Sequence, residues 1–528
     1  MNNTDKNPLL AVELLINTGK LTEAEKLINT INTDETTRLT LRGLVEFKKK
    51  NNRKAYEYLS EAVILSASNK LARGYLSTLL VNDKRYKDAE EHVESALTKY
   101  PNDHQFITNK LLILNENHKH EELVAFLEKK IELAKNSNFY TLIIAALRSL
   151  YRLDEAMKYL EEGKQKFPDA KDLDKVRADL LSEIDTIKSA SAYEVIYKSG
   201  DPGKATRWNS SFGDLRARNW KRGLESYEFG LDPEIGQIGR PLPEIMKLFR
   251  KIEKISDIEK NKWLILCGEQ GIGDQVFFLS CLNDLLKITE KIILLMDQRM
   301  IQLVQRSFPE ISVMKFGVAA VIENNKDIIG YIPLGSLLKM TRENTSDFTK
   351  NKKKYIIADE LKVKEFKEKI KEKTNNKPII GISWKGGFWE RQQKGKSIEI
   401  EMWEPLLKRK DMTFINLQYG NVEKEREYCR KNNYDVKFIK GIDYKKDLDG
   451  WLSIIDSCDI IISISTALVH FAAACGKKVY LLLSDKQQPF IWGLDETKSI
   501  VYEDVNIIRM NKGADPVEYF KQLNQLFK

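Results

Sequence analysis

The sequence predicts an α-helical solenoid followed by two α/β domains, each built around a parallel sheet. Two observations predict this fold class. A unit of about 34 residues recurs along the first third of the chain. From Trp263 onward, short β-branched runs alternate with amphipathic segments. The predicted boundaries are 1–188 for the repeats, 189–230 for a linker and a joining helix, and 231–377 and 378–528 for the α/β domains.

The repeat is marked by one small or apolar residue near the start of the second helix of each unit. The marker residues are Ala24, Ala55, Ala89, Leu123 and Ala156. An i, i+3, i+4 apolar stripe follows each of them, and Gly43 stands where the two helices of one hairpin would pack closely. This pattern resembles the tetratricopeptide repeat over about residues 8–170, with an irregular helical bundle as the alternative. Stacked hairpins of this kind leave a concave groove that suits a protein partner.

Composition and charge exclude several classes of protein. The chain has 528 residues, of which 42% are hydrophobic and 31% charged, as is typical of a globular protein. The net charge of +9 is spread thinly, so no nucleic-acid partner is predicted. No apolar stretch reaches the ~18 residues of a membrane span and no secretory leader is recognisable, so we expect a cytoplasmic protein. The five cysteines lack the short spacing of a zinc site and are predicted to be buried and reduced.

The predicted strands fall into two groups, separated by a Lys-rich amphipathic helix that ends before Pro378. The first group is WLILC, KIILLM, ISVMKF and IIGYIPL, and the second is IIGISW, TFINLQ, VKFI, DIIISIS and KVYLLL. Each group predicts a Rossmann-like domain wound with helices. Because ligands of such folds bind outside the carboxyl ends of the strands, we expect the site in a cleft between the two domains.

A glycine-rich loop follows the first predicted strand and leads into an apolar helix. Its sequence from Gly268 to Asp274 is GEQGIGD, and glycines there allow the backbone to approach a ligand closely. The order differs from the G-x-G-x-x-G of dinucleotide-binding proteins. Asp297 nevertheless stands where a ribose-binding acid would, so a dehydrogenase is a competing hypothesis. Asp274 itself is open to two interpretations, a general base or a helix cap.

A second candidate site follows the predicted strand DIIISIS. Ser465, Thr466 and Ala467 lead into a helix whose first N–H groups and dipole favour a diphosphate. His470 stands one turn into that helix and is the only histidine in the second half of the chain. We interpret His470 as a ligand contact, with a satisfied core histidine as the alternative.

Four blocks, in order along the chain, carry a resemblance to a known family. They are EQGIGDQVFF, GISWKG, LQYG and SISTALVHFAAACGKKVYLLL, the last followed by IWG. Over about residues 207–510 the chain resembles the heptosyltransferase-like family of GT-B glycosyltransferases. It resembles in particular the bacterial members that carry tetratricopeptide repeats and are associated with protein or flagellin glycosylation. The family often has Asp-Thr-Ala where this chain has Ser465-Thr466-Ala467, so the hydrogen bonding around a diphosphate departs from the family pattern.

The resemblance implies site residues in both α/β domains. Asp274 matches the acidic residue that the family uses as general base, on the acceptor-side domain. The residues implied for nucleotide-sugar binding are Gly271, Gly273, Trp384, Lys385, Lys396, Gln418, Ser465, Thr466, Ala467 and His470, with packing as the alternative for Trp384. Basic side chains and a helix N-terminus would stabilise the leaving diphosphate, so neither a metal nor another cofactor is expected. Asp447 and Asp449 spell Asp-x-Asp, but they precede a helix, which favours capping over metal binding.

The leading hypothesis is an inverting glycosyltransferase. It would move a sugar from a nucleotide-diphosphate donor to Ser or Thr hydroxyls of a protein held by the repeats. Flagellin is one candidate acceptor, and a homo-oligomer is a candidate assembly. One alternative keeps the fold but takes a saccharide acceptor, as heptosyltransferases do. The other is a non-catalytic repeat scaffold whose transferase half has lost activity, as Ser465 would allow.

Overall fold

The structure, a computed structural model, divides into two compact units, Met1–Val176 and Arg177–Lys528. It describes residues 8–200, 202–317, 325–350, 353–374, 377–386, 397–484, 489–510 and 514–527. Across these described ranges, no helix combines the length and the apolar character that crossing a membrane would require.

The first unit consists of helical hairpins, as the repeat predicts. Its helices are α1 Pro8–Asn17, α2 Leu21–Thr30, α3 Glu35–Lys48, α4 Asn52–Leu65, α5 Lys70–Asn82, α6 Tyr86–Lys99, α7 His104–Glu116, α8 His120–Glu128, α9 Asn138–Ser149, α10 Leu153–Lys166 and the start of α11 Lys171–Ile184. Every marker residue is the fourth residue of a second helix and is 0% exposed. The tetratricopeptide-like repeat is therefore confirmed, because the same buried position recurs in each hairpin.

Local backbone chemistry explains the regular hairpins. Two residues before α4, Lys50 adopts a left-handed φ of 62°, and Lys84, His118 and Tyr151 do the same before α6, α8 and α10. Asp34 caps α3 by accepting a hydrogen bond from Thr37 N at 2.9 Å. Within one hairpin, a Cβ placed on Gly43 would lie 2.6 Å from Leu59 Cγ, so only glycine allows α3 and α4 this close. The predicted close approach at Gly43 is confirmed.

The second unit begins with further helices. These are α12 Thr186–Lys198, α13 Lys204–Arg216 and α14 Trp220–Tyr227. Most of the polar stretch of the predicted linker lies in α12 and α13, and its hydroxyls find partners, as when Ser189 Oγ donates to Ala178 O at 2.8 Å. Helices α13 and α14 repeat the hairpin turn of the first unit, with Arg218 at φ 64° two residues before α14. We call α13 and α14 the joining hairpin.

The first sheet has four parallel strands in the order β3-β2-β1-β4. The strands are β1 Trp263–Cys267, β2 Ile292–Met296, β3 Ser312–Lys315 and β4 Ile328–Pro333. The associated helices are α15 Ile272–Leu279, α16 Leu282–Leu286, α17 Ile301–Ser307, α18 Ser336–Thr341, α19 Thr345–Thr349 and α20 Glu360–Thr374. Strand order reverses between β1 and β4, and ligands of such sheets usually bind beside the loops at a reversal of this kind.

The second sheet has six parallel strands in the order β10-β9-β8-β5-β6-β7. The strands are β5 Ile379–Ser383, β6 Thr413–Asn416, β7 Val436–Lys437, β8 Ile460–Ile464, β9 Lys478–Leu483 and β10 Val505–Arg509. The associated helices are α21 Glu404–Leu407, α22 Glu423–Lys431, α23 Leu448–Ser457, α24 Ala467–Ala474 and α25 Val517–Leu526. Here strand order reverses between β5 and β8, beside the second candidate loop. All nine predicted strands form; β10 was not predicted.

One of the apolar clusters in the second unit joins both sheets to the joining hairpin. It extends from Trp208 and Tyr227 of the joining hairpin through Phe277 of α15 to Phe490, which follows β9 in the chain. The Phe490 ring lies 5.9 Å from the Tyr227 ring and 6.0 Å from the Phe277 ring. Aromatic pairs at these separations add to the free energy gained by burying their surface. The joining hairpin is therefore packed against both sheet regions.

Candidate functional site

The glycine-rich loop connects β1 to the start of α15. Gly268 leaves no room for a side chain, because a Cβ there would lie 2.9 Å from Leu295 O. Gln270 adopts a left-handed φ of 58°, a conformation that costs free energy in a residue other than glycine. Asp274 is half-buried at the third position of α15, where its Oδ2 accepts a hydrogen bond from Gly271 N at 3.1 Å. The capping interpretation of Asp274 thus describes a contact that is present.

A buried ion pair between Arg240 and Glu269 holds the glycine-rich loop in place. Glu269 accepts from Arg240 Nε at 2.8 Å and from Arg240 Nη2 at 2.6 Å, and both side chains are fully buried. Glu269 also accepts from Gly335 N at 2.9 Å. Burial of the Glu228 carboxyl opposes its ionisation, but the positive charges of Arg240 and Lys251 lower its pKa to about 2. This buried network fixes the backbone that precedes α15.

The joining hairpin contributes directly to the loop. Tyr227 Oη donates to Gln270 Oε1 at 2.7 Å. Burial, with a smaller contribution from the Asp274 charge, raises the pKa of the Tyr227 hydroxyl, so this group stays protonated. The bond to Tyr227 holds Gln270 in its left-handed conformation, and the strained loop is therefore stabilised by tertiary contacts.

The second candidate loop leads from β8 into α24. Thr466 is the N-cap residue, with an extended backbone, but its side chain makes no capping hydrogen bond to the helix. The Thr466 hydroxyl instead lies 3.4 Å from Ser463 Oγ. Ser465 Oγ accepts from Trp492 Nε1 at 3.0 Å. The first N–H groups of α24 are thus left without a side-chain cap from Thr466, as an anion-binding helix start requires.

His470 is buried one turn into α24. Its Nδ1 lies 2.8 Å from Tyr502 Oη, and its ring is stacked on Trp492 with centroids 5.2 Å apart. Arg218 of the joining hairpin holds the segment that carries Trp492, since Arg218 Nη1 donates to Phe490 O at 2.9 Å and Arg218 Nε contacts Glu496 Oε1 at 2.7 Å. His470 is therefore fixed on two sides by buried aromatic rings.

The two loops meet at Gly273. A Cβ placed on Gly273 would lie 3.1 Å from His470 Cδ2 and 3.2 Å from Ala467 Cα. The starts of α15 and α24 therefore lie side by side, and each follows a strand at a reversal of strand order. The structure thus brings together Gly271, Gly273 and Asp274 from the first sheet with Ser465, Thr466, Ala467 and His470 from the second.

The remaining predicted donor-binding residues lie at the ends of β5 and β6. Gln418 Oε1 accepts from Ser383 Oγ, Trp384 N and Lys385 N, at 2.8, 3.1 and 2.8 Å. The buried Gln418 side chain therefore links the residues after β6 to the end of β5. Trp384 is also buried, which supports packing, although its indole N–H has no hydrogen-bond partner within the described part of the chain. Lys385 is 45% exposed.

The pairing of β5 with β8 places Trp384 and Lys385 near the second candidate loop. Ser383 pairs with Ser463 between β5 and β8. Trp384 and Lys385 therefore emerge from the same sheet edge as Ser465 and Thr466. Lys396, the other predicted phosphate neighbour, lies outside the described residues.

The other acidic residues singled out from the sequence have structural partners. Asp297 pairs with Arg299 at 2.6 Å. Asp447 caps α23 by accepting from Gly450 N at 2.8 Å, which confirms the capping prediction. Asp449 is buried between Arg306 and Lys362, at 2.8 and 2.9 Å. In the residues that the structure describes, no group of three His, Cys, Asp or Glu side chains is placed to hold a metal ion.

All five cysteines are buried and unpaired with one another, as predicted. Burial raises the pKa of the Cys267 thiol to about 12, so this group is a neutral thiol rather than a nucleophile. Sequence reasoning missed Arg218, Tyr227, Arg240 and Tyr502. Among the residues that support the two loops, only Glu269 lies inside a motif recognised in the sequence, the glycine-rich loop.

Comparisons with known proteins give partial similarities. The chain matches no family profile. It is similar to Protein FlbA of Caulobacter vibrioides, with 27% identity over 237 residues that cover 42% of this chain and 39% of that protein. The matched region therefore spans about two fifths of the length of this relative.

Several solved structures are also similar to part of this chain. A tetratricopeptide repeat protein from Parabacteroides merdae has 13% identity and a TM-score of 0.37, covering 44% of this chain and 96% of that chain. PilF from Pseudomonas aeruginosa has 16% identity and a TM-score of 0.31, covering 39% and 93%. YrrB, a TPR protein, has 13% identity and a TM-score of 0.28, covering 35% and 96%. Because these TM-scores are low, the helical-hairpin fold rests on the coordinates of this chain itself.

Proposed function

We propose that the second unit is a GT-B-type glycosyltransferase. In this proposal it moves a sugar from a nucleotide-diphosphate donor to Ser or Thr hydroxyls of a protein. The observation that carries the proposal is the contact of the two loops at Gly273, which sets the start of α24 beside the carboxylate-bearing start of α15. An anion-binding helix start and a carboxylate within one crevice are the two groups that such a transfer needs.

The donor diphosphate is assigned to the start of α24. Its first N–H groups lack a Thr466 side-chain cap, and the helix dipole adds positive potential there. The Lys385 ammonium, which lies 3.9 Å from Glu425 Oε1, belongs to the neighbouring strand end. These groups stabilise the negative charge that develops on the leaving nucleoside diphosphate, in place of a metal ion.

We assign the role of general base, which accepts the proton of the acceptor hydroxyl, to Asp274. The acceptor hydroxyl gives its proton to this carboxylate while the hydroxyl oxygen forms a bond to the anomeric carbon. The bond from that carbon to the diphosphate breaks on the opposite face, so the configuration inverts. The hydrogen bond from Gly271 N orients the Asp274 carboxylate, so the cap and the base are compatible roles for one side chain.

The repeats of the first unit are assigned to the protein acceptor. Hairpins with a recurring buried position stack into a solenoid whose inner surface suits an extended peptide segment. A saccharide acceptor needs no such surface. The proposal includes flagellin as a candidate acceptor, a cytoplasmic location and a homo-oligomeric assembly.

The first test is a thermal-shift screen of nucleotide sugars with the full chain. A donor raises the melting temperature by mass action when it binds the folded state. The donor with the largest shift is then incubated with candidate acceptor proteins, and transfer is followed by intact-mass spectrometry. Absence of any shift across the common nucleotide sugars would leave the non-catalytic scaffold as the better account.

The second test separates base from cap with matched variants. Asp347 occupies the same capping position in α19, where Oδ2 accepts from Asn344 N at 3.1 Å. Asp274→Asn and Asp347→Asn should therefore lower stability by similar amounts. Only Asp274→Asn should reduce turnover, by about 100-fold or more, which is the usual cost of losing a general base. Normal turnover in a destabilised Asp274→Asn protein would show that Asp274 is only a cap.

A further inference from the structure

Three hydroxyl side chains, those of Ser463, Ser465 and Thr466, stand where β8 leads into α24, and their hydrogen bonds differ. Ser463 Oγ donates its single proton to Ile464 O at 2.8 Å. Thr466 Oγ1 lies 3.4 Å from Ser463 Oγ, so Thr466 is the donor between these two hydroxyls. The protons of Ser463 and Thr466 therefore both have acceptors within the loop itself.

Ser465 has the opposite arrangement, because it is an acceptor in its bond to the protein. Its Oγ lies 3.0 Å from Nε1 of Trp492. An indole nitrogen only donates, so this bond uses the Ser465 oxygen and leaves the Ser465 proton unused. No residue in the described ranges accepts that proton. Since Ser465 is only half-buried, its proton is left for water or for a ligand.

Trp492 is a rigid partner for Ser465. Its side chain is 0% exposed, and its ring is stacked on His470 with centroids 5.2 Å apart. Arg509 Nη2 donates to Trp492 O and also, at 3.3 Å, to Gly493 O, which fixes the backbone on which the indole is mounted. The indole N–H is therefore held in place and occupies the acceptor side of the Ser465 hydroxyl.

We propose that Trp492 is a positioning residue that holds Ser465 as a hydrogen-bond donor to a phosphate oxygen of the nucleotide-sugar diphosphate. This inference rests on the proposed function, which assigns the diphosphate to the start of α24. Ionised phosphate oxygens accept hydrogen bonds, so they match the one proton that the loop leaves unused. A carboxylate at position 465 would also accept from Trp492, but it would have no proton to give and would repel the diphosphate.

The bond between Trp492 and Ser465 is measured first without any ligand, by NMR of the full chain labelled with ¹⁵N-tryptophan. Trp492→Phe removes one of the eight indole N–H signals and thereby assigns it. In Ser465→Ala, we expect this proton signal to move upfield, because its hydrogen bond is lost. A signal that stays in place would overturn the positioning role, whatever activity the protein has.

The contact with phosphate is tested with inorganic pyrophosphate, which has the diphosphate but neither sugar nor base. Its dissociation constant for the full chain is measured by isothermal titration calorimetry in EDTA. Ser465→Ala should weaken binding about 10-fold or more, the usual cost of losing a hydrogen bond to a charged group. Ser465→Asp should weaken it further through repulsion, although it keeps an acceptor for Trp492. Unchanged affinity in either variant would overturn the contact.

A double-mutant cycle separates positioning from general damage to the fold. Trp492→Phe keeps an aromatic ring beside His470 but removes the indole N–H, so pyrophosphate binding should weaken about 3-fold or more. The double variant with Ser465→Ala should bind no more weakly than Ser465→Ala alone, because Trp492 acts through Ser465. Fully additive losses would overturn the positioning role.

Trp220→Phe is the matched control. Trp220 is a buried tryptophan of the second unit whose Nε1 also donates to a hydroxyl, that of Thr345, at 3.0 Å. The variant removes the same kind of bond at a site that does not involve Ser465. It should leave both the Trp492 signal and the affinity for pyrophosphate unchanged. A loss as large as that of Trp492→Phe would mean that the effect is one of general stability and would overturn the positioning role.

Failure of this inference can be told apart from failure of the proposed function. If pyrophosphate binds through Ser465 but no nucleotide sugar is turned over, the transferase fails and the phosphate contact stands. If a nucleotide sugar is turned over with the same KM in Ser465→Ala, the contact fails and the transferase stands. Absence of pyrophosphate binding to the wild-type chain would overturn the assignment of a diphosphate to this loop.

Discussion

Gly273 is the point where a single methyl group should test the contact between the two loops. Gly273→Ala places a Cβ 3.1 Å from His470 Cδ2 and 3.2 Å from Ala467 Cα. Neither neighbour can move easily. Ala467 contributes backbone at a helix start, and His470 is fixed by Tyr502 and Trp492.

Two opposing effects determine how much Gly273→Ala changes the free energy of unfolding. Replacing glycine by alanine within a helix such as α15 normally stabilises it by about 0.5–1 kcal/mol. Forcing an extra methyl group into a closely packed contact costs about 1–3 kcal/mol. Because the contacting atoms are backbone and a clamped ring, we expect the steric cost to exceed the helix gain. The net loss in the free energy of unfolding should be about 1–2 kcal/mol.

The assay is urea unfolding of the full chain followed by tryptophan fluorescence, which reports on the second unit alone. Gly213→Ala is the matched control, since Gly213 lies inside α13 and a Cβ there would meet nothing within 4 Å. Gly213→Ala should therefore be neutral or stabilise the protein by up to about 1 kcal/mol. If Gly273→Ala were as stabilising as Gly213→Ala, α15 and α24 would not be in contact as described.

Three further predictions concern pH, metal and the division between units. The Glu228 carboxyl has a folded-state pKa of about 2 against an ordinary 4.5, so its contribution of about 3 kcal/mol is present above pH 4.5 and lost as pH falls toward 2. Acid unfolding of the Glu228→Gln protein should lack that part of the slope, and identical curves would contradict the pKa assignment. Donor binding and transfer should persist in EDTA, because α24 and Lys385 replace a metal; activity lost on chelation and restored by manganese would refute this. A chain that starts at Lys171, before the second unit, should bind the donor and hydrolyse it slowly, but it should not glycosylate the intact protein acceptor. Undiminished glycosylation by this shortened chain would show that the repeats do not recognise the acceptor.

Much of the fold follows from local sequence patterns. The buried marker residues of the hairpins and the nine apolar runs lie where the pattern predicts, because periodicity directly encodes which side of an element is buried. Strand β10 was missed because Asn506 interrupts its short apolar run. The polar stretch after Ser189 was interpreted as a joint, yet most of it lies in α12 and α13, where the Ser189 hydroxyl donates to a backbone carbonyl of the preceding helix.

The sequence predicted the two loops of the candidate site but not the residues that support them. The glycine loop and the turn at Ser465 are contiguous motifs, so each is recognisable within a few residues of sequence. The contacts that support them are not contiguous. Arg240 meets Glu269 across 29 residues, and Arg218 meets Glu496 across 278 residues. No spacing rule connects such pairs, because their separation depends on how the strands are ordered.

The sequence by itself determined the helical repeats, the two sets of parallel strands and the two loops that end at helix starts. These are local properties, set by backbone conformation and by the period of apolar residues. Only the tertiary structure decided that Gly273 touches the helix of His470, and that the His470 ring lies between Tyr502 and Trp492. The physical reason is that a hydrogen bond or a close contact requires specific atoms within a few ångströms of each other, and residues far apart in sequence reach that distance only when the whole unit packs.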